Sequence, residues 1–177
     1  AAFDGIVASL DAGVASADWA WQQIFLAVDL DGYEDLLISA GYFRDVQDRD
    51  AIAAINAQSR PITGITNPVE FQMAFSMQKM TNSRLFPPYE CPIVAYRNLG
   101  NCKFEETTST WGTDQPGIRQ GMATGDLDDD GDLDLVVNNF NGALGVYRNN
   151  SSAPRVTVRL KGLAPNTQGI GARIKLL

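Results

Sequence analysis

Short apolar runs, bounded by turn residues, set the pattern of this chain. Leu36-Leu37-Ile38 and Leu135-Val136-Val137 each follow an Asp/Gly-rich loop and run into small or polar residues. Such runs predict short buried strands. Ile93 to Asn98 and Phe104 to Thr108 flank Leu99-Gly100-Asn101, which reads as a hairpin turn. Counting outward from that turn sets Cys102 near Arg97, with Cys91 several residues away. Asn141-Gly142 makes a turn into Ala143 to Tyr147, and Arg155 to Leu160 alternates polar and apolar as a half-buried strand does. The pattern therefore predicts an all-β protein.

Between about residues 42 and 90 the period changes to that of helices. Asp45 to Ala57 supports one helix, with Ile52 and Ile55 on one side. Asn67-Pro68-Val69-Glu70 is a helix start, with Asn as N-cap, Pro in the first turn and Glu three residues past the cap. The helix it opens runs to about Met80 and lines up Val69, Met73, Met77 and Met80. The expected use of that stripe is a small core packed on the sheet, although adaptable Met side chains also suit a binding groove. Pro87-Pro88 ends the excursion.

The strand-forming parts repeat. With an offset of 99, Asp29, Asp31, Gly32, Asp35 and Leu36 fall on Asp128, Asp130, Gly131, Asp134 and Leu135. Tyr96-Arg97-Asn98 and Tyr147-Arg148-Asn149 then close an apolar run in each copy. Asp35 and Tyr96 are 61 residues apart, whereas Asp134 and Tyr147 are 13 apart, so the first copy carries the helical excursion as an insertion.

Charge sharpens this picture. Of 21 acidic residues against 14 basic ones, six lie in 126–134 and four in 29–35. A net charge of −7 excludes the basic face that a nucleic-acid partner needs. The absence of histidine removes His-dependent triads and His-ligated zinc. Two cysteines cannot make a disulfide scaffold; they can pair in an oxidising compartment, but the hairpin register sets them apart. No apolar run is long enough to span a membrane. Both ends read as cut, at Ala1 and at Ile174-Lys175-Leu176-Leu177, so the chain reads as a fragment or processed piece.

The chemistry sits in Asp126 to Asp134. Carboxylates stand at loop positions 1, 3, 5 and 9 (Asp126, Asp128, Asp130, Asp134), Gly131 is at position 6, and Asp132 can offer its carbonyl at position 7. That spacing suits Ca2+, which takes six to eight hard oxygens from one tight loop. Without a cation, each close pair of carboxylates repels by roughly 1–4 kcal/mol. A helix–loop–helix site would want Glu at position 12, where Val137 stands, so the metal is expected between strands. Leu127 and Leu133 are expected to turn into the core. The first loop is a weaker copy. Asp29, Asp31, Tyr33 and Asp35 fill positions 3, 5, 7 and 9, but Ala27 stands at position 1, so calcium there is looser or absent.

The D-x-D-x-D-G-x-x-D pattern between strands resembles the FG-GAP/VCBS repeats of integrin-like β-propellers. Gly117 to Asn150 resembles one blade, Trp19 to Gly41 the start of another, and Val94 to Thr107 its closing hairpin. Beyond them, Gly162, Asn166 and Gly169-Ile170-Gly171-Ala172-Arg173 resemble the start of an ASPIC/UnbV domain, an order similar to that of cartilage acidic protein and its relatives. The resemblance implies partial β-propeller blades divided as follows: residues 1–18 the end of a preceding blade and a linker, 19–110 a first repeat with the helical insertion at about 42–90, 111–150 a second repeat, and 151–177 a truncated ASPIC/UnbV-like start. It implies a calcium role for Asp126, Asp128, Asp130, Asp132 and Asp134. It also implies a secreted or cell-surface protein that binds a protein or carbohydrate rather than catalysing. Two blades cannot close a propeller, so other chains or missing blades are expected at the open sheet edges. A subunit of an extracellular assembly and a non-catalytic carbohydrate-binding propeller of a secreted enzyme are the alternatives. Asn149-Asn150-Ser151-Ser152 adds two overlapping glycosylation sequons.

Overall fold

A computed structural model describes residues 11–14, 19–59, 61–154, 156 and 158–175. Two antiparallel sheets form its body. The first runs β1 (Ala20–Leu26), β2 (Asp35–Ala40), β3 (Val94–Asn98) and β4 (Phe104–Glu106), in that spatial order. The second runs β5 (Arg119–Gly125), β6 (Asp134–Asn139) and β7 (Gly145–Tyr147). Among the described residues there is no closed barrel, and no helix is long and apolar enough to cross a membrane.

The 99-residue offset extends to backbone detail. Leu36 faces Tyr96 across the first sheet, and Leu135 faces Tyr147 across the second. The register slips between Ala20 and Gln22 in β1, and between the equivalent Arg119 and Gly121 in β5. Both acidic loops cross into positive φ at the same two positions: Leu30 (59°) and Gly32 (96°), then Asp129 (59°) and Gly131 (93°). Glycine suits that conformation because it has no Cβ to clash.

The two sheets stack head to back. One face of β2 and β3 presents Leu37 and Ala95, which pack with Met122, Leu135 and Val137 of the second sheet. The other face of the first sheet gathers Leu36, Ile38 and Tyr96 under Val14 and Phe104. Leu135, Val137 and Tyr147 are the repeat equivalents of Leu36, Ile38 and Tyr96, yet they point at the first sheet's opposite face. Each sheet therefore meets its neighbour with a different side, as copies in a continuing series do and a two-fold pair does not. Gln22 ties the layers together: its amide donates to the Met122 carbonyl (3.0 Å) and accepts from the Met122 N–H (2.6 Å). Asn149 and Ser151 reach back from the second unit to the Val28 carbonyl at 2.9 and 2.7 Å.

The helices α1 (Arg49–Gln58) and α2 (Pro68–Ser83) lie between β2 and β3. Paired backbone hydrogen bonds between Tyr42 and Tyr89, both 2.8 Å, close the base of this excursion. Asp48 caps α1 through the Ala51 N–H, and Asn67 caps α2 through the Val69 N–H. The expected methionine core does not form. Helix α2 has no buried residue, and Val69, Met73, Met77 and Met80 stay in solvent. Another side of α2, bearing Phe75 and Lys79, borders a cleft with Ile55, Tyr42 and Phe86, and Phe75 too stays exposed.

Two further expectations change. Leu99 to Lys103 form the whole β3–β4 connection, so Cys102 lies in the turn, and Arg97 faces Glu105. Cys91 is buried and Cys102 is exposed. The alternating segment near residues 155–160 forms no strand among its described residues; Arg155 and Thr157 lie outside them. Most of the expected preceding blade and linker, residues 1–10 and 15–18, also lies outside the described residues, as do Leu176 and Leu177. Near the C-terminal end the Gly162–Asn166 segment does fold locally. The Gly162 N–H donates to Thr167 O (2.9 Å), and the Asn166 side chain exchanges hydrogen bonds with Ile170.

Candidate metal centre

The second loop joins β5 to β6. Each of Asp126, Asp128 and Asp130 offers an oxygen within 4.8 Å of the other two. Among the described residues no other trio of acids or thiols converges in this way. The loop is wound by its own carboxylates. Asp126 accepts the N–H groups of Asp130 (3.1 Å) and Gly131 (3.0 Å), and Asp130 accepts that of Asp132 (3.1 Å). Asp132 is buried beside them. Oxygen atoms of three carboxylates in reach of one point are the donor set a hard dication takes.

Asp134 does separate work. It is buried at the start of β6, where one oxygen accepts the Leu127 N–H (2.9 Å) and the other the Asn149 N–H (2.8 Å). It therefore staples the strands on either side of β6. Asp35 repeats the arrangement, accepting from Val28 and Asn98, both at 2.8 Å. Burial pushes the Asp35 carboxyl above the ordinary carboxylate range. The Asn98 and Val28 N–H groups pull it back, and the charges of Asp29 and Asp31 add to the rise. An ionised carboxylate has about four lone-pair sites, so these bonds leave each oxygen able to accept once more.

In the first loop Asp29 and Asp31 occupy the places of Asp128 and Asp130. Ala27 leaves the third corner without a carboxylate. The Tyr33 N–H donates to Asp31 (2.9 Å), as Asp132 does to Asp130, while the Tyr33 ring lies against Gly100. The structure thus brings together Asp126, Asp128 and Asp130, sets Asp134 and Asp35 apart as staples, and leaves the first loop one ligand short. Leu127 and Leu133 do not enter the core: both are exposed on the loop. Leu133 instead borders a cleft of about 690 Å³ that opens between the sheets beside Trp111 and Arg148.

Arginine is the participant that carboxylate spacing does not reveal. Arg97 lies 2.6 Å from Asp29 and 3.3 Å from Asp31; Arg148 lies 2.6 Å from Asp128 and 3.8 Å from Asp130. Both come from the Tyr-Arg-Asn repeat. Within it Tyr faces the leucine of the central strand, Arg reaches the loop, and the Asn N–H meets the staple. The repetition of that tripeptide is the sequence signal for all three roles.

Residues 89–137 match the family model of the FG-GAP-like repeat. The match begins at the base of the helical excursion, takes in β3, β4, β5 and the second loop through Asp134, and ends within β6. The FG-GAP-like repeat so defined straddles the two sheets, which is where the inter-sheet core lies. No curated protein matches the chain in sequence.

Proposed function

We propose that the second loop holds a structural calcium ion in a propeller-like stack of FG-GAP-like repeats, in a secreted or cell-surface protein that binds a partner. The observation that carries the metal reading is the convergence of Asp126, Asp128 and Asp130 within 4.8 Å. The bound ion would cancel their mutual repulsion and fix the crossing from β5 to β6. Asp132, through its backbone carbonyl, and Asp134 complete the expected ligand set. Head-to-back stacking supports the propeller, because it leaves a face at each end for another repeat. On the second sheet that face carries Val136 and the exposed Val146, which pair with each other across β6 and β7.

Calorimetric titration tests the metal. Extracellular calcium modules bind with Kd of about 10⁻⁴–10⁻³ M, and the wild-type chain should fall in that range. Asp128→Asn should weaken binding at least tenfold, while Asp114→Asn, outside the loop, should leave it unchanged. Equal titrations for wild type and Asp128→Asn would remove this reading.

A second reading, a subunit of an extracellular assembly, draws on one observation. Among the described residues strand β7 is an open edge, with the exposed Val146 in it and the exposed Leu144 just before it. Unpaired edges recruit strands from other chains. Sedimentation that shows ordered oligomers at micromolar concentration would favour it over a monomeric stack.

A further inference from the structure

The two acidic loops share one fold but differ in how their negative charge is met. In the first, the guanidinium of Arg97 lies against the carboxylates of both Asp29 and Asp31, at 2.6 and 3.3 Å. In the second, Arg148 grips Asp128 but stands 3.8 Å from Asp130, and its side chain is more exposed, 62% against 41%. The first loop sets two carboxylates against one guanidinium; the second sets three. Counting only the carboxylates at positions 1, 3 and 5, the second loop sets a charge of −3 against its arginine and the first −2, so the second keeps about one more negative charge at the point where those carboxylates converge. Asp29, chiefly, raises the affinity of the Arg97 guanidinium for its proton, so this positive charge is permanent.

We infer that Arg97 takes the place of a metal in the first loop. Its planar fork spans positions 3 and 5, where a calcium ion would otherwise join them, and the loss of a carboxylate at Ala27 fits a site that no longer needs a dication. Arg97 is a positioning residue: it orders Asp29 and Asp31, and through them the turn into β2. The first unit is therefore permanently closed, and the second is closed only when calcium is present. This inference rests on the calcium reading of the second loop for its metal count, and on the first loop alone for the role of Arg97.

The experiment uses the whole chain, calcium alone as ligand, and three proteins: wild type, Arg97→Met, and Arg97→Met combined with Ala27→Asp. In chelator, Arg97→Met should melt several degrees below wild type and lose amide protection at Asp31 and Tyr33, and a fourth protein, Arg97→Lys, should restore part of the loss. Wild type should bind one calcium ion. The double variant should bind two, and calcium should restore protection in its first loop. Two ions on wild type, unchanged melting of Arg97→Met in chelator, or no second ion on the double variant would each overturn the inference. If wild type binds no calcium, the reading of the second loop fails, and the chelator melts decide the role of Arg97.

Discussion

Loop residues that look alike in sequence carry different loads. Asp134 and Asp128 both belong to the acidic loop, yet Asp134 is buried and holds two backbone N–H groups, while Asp128 sits at the surface against Arg148. Removing a partner from a buried donor costs roughly 1–3 kcal/mol per group. Asp134→Ala should therefore lose about 2–4 kcal/mol of stability, with or without calcium. Asp128→Ala should lose under about 1 kcal/mol in chelator, since it gives up only an exposed ion pair. Urea unfolding of both variants in chelator checks the contrast, and equal losses would contradict the staple. The carboxylate spacing, the glycine turn and the missing carboxylate at Ala27 were legible from the sequence. The staple was not, because a carboxylate that binds N–H groups and one that binds metal are the same letter. The reach of Arg97 was equally hidden, since the Tyr96-Arg97-Asn98 run that carries it lies 61 residues beyond Asp35 and meets the loop only through the pairing of β2 with β3.

At the scale of elements, the repeat and the site of the excursion followed from apolar periodicity. Caps at Asn67 and Pro68 fixed the start of α2 because N-terminal chemistry is local. What periodicity cannot give is which side of a helix meets the sheet. The methionine stripe of α2 was the expected contact, but it stays exposed, and a different side, bearing Phe75 and Lys79, borders the cleft shared with Tyr42 and Phe86. Because Met73 and Met77 are about two-thirds exposed, replacing both by Gln should change stability by less than about 0.5 kcal/mol. Thermal melting measures this, and a loss above about 1 kcal/mol would mean the stripe is packed in solution. The predicted strand at 155–160 shows the opposite failure. Alternation supplies one apolar face, but a strand also needs a neighbour, and none pairs with it among the described residues.

For the whole molecule, the central matter is how two repeats with unequal loops share one core. Leu37, Ala95, Met122, Leu135 and Val137 join the sheets, and Gln22, Asn149 and Ser151 lock the seam. Rigidity gained at the second loop therefore reaches both units through that common core. A ligand at about one hundred times its Kd adds about 2.7 kcal/mol to stability. For a chain of this size each kcal/mol moves the melting temperature by about 2–4 °C. The most direct measurement is the melting temperature of the wild-type chain in about 10 mM calcium and in excess chelator, the former about ten to a hundred times the expected Kd. The account predicts a rise of about 3–10 °C with calcium, abolished by Asp130→Asn. Superimposable wild-type melts in calcium and chelator would contradict it.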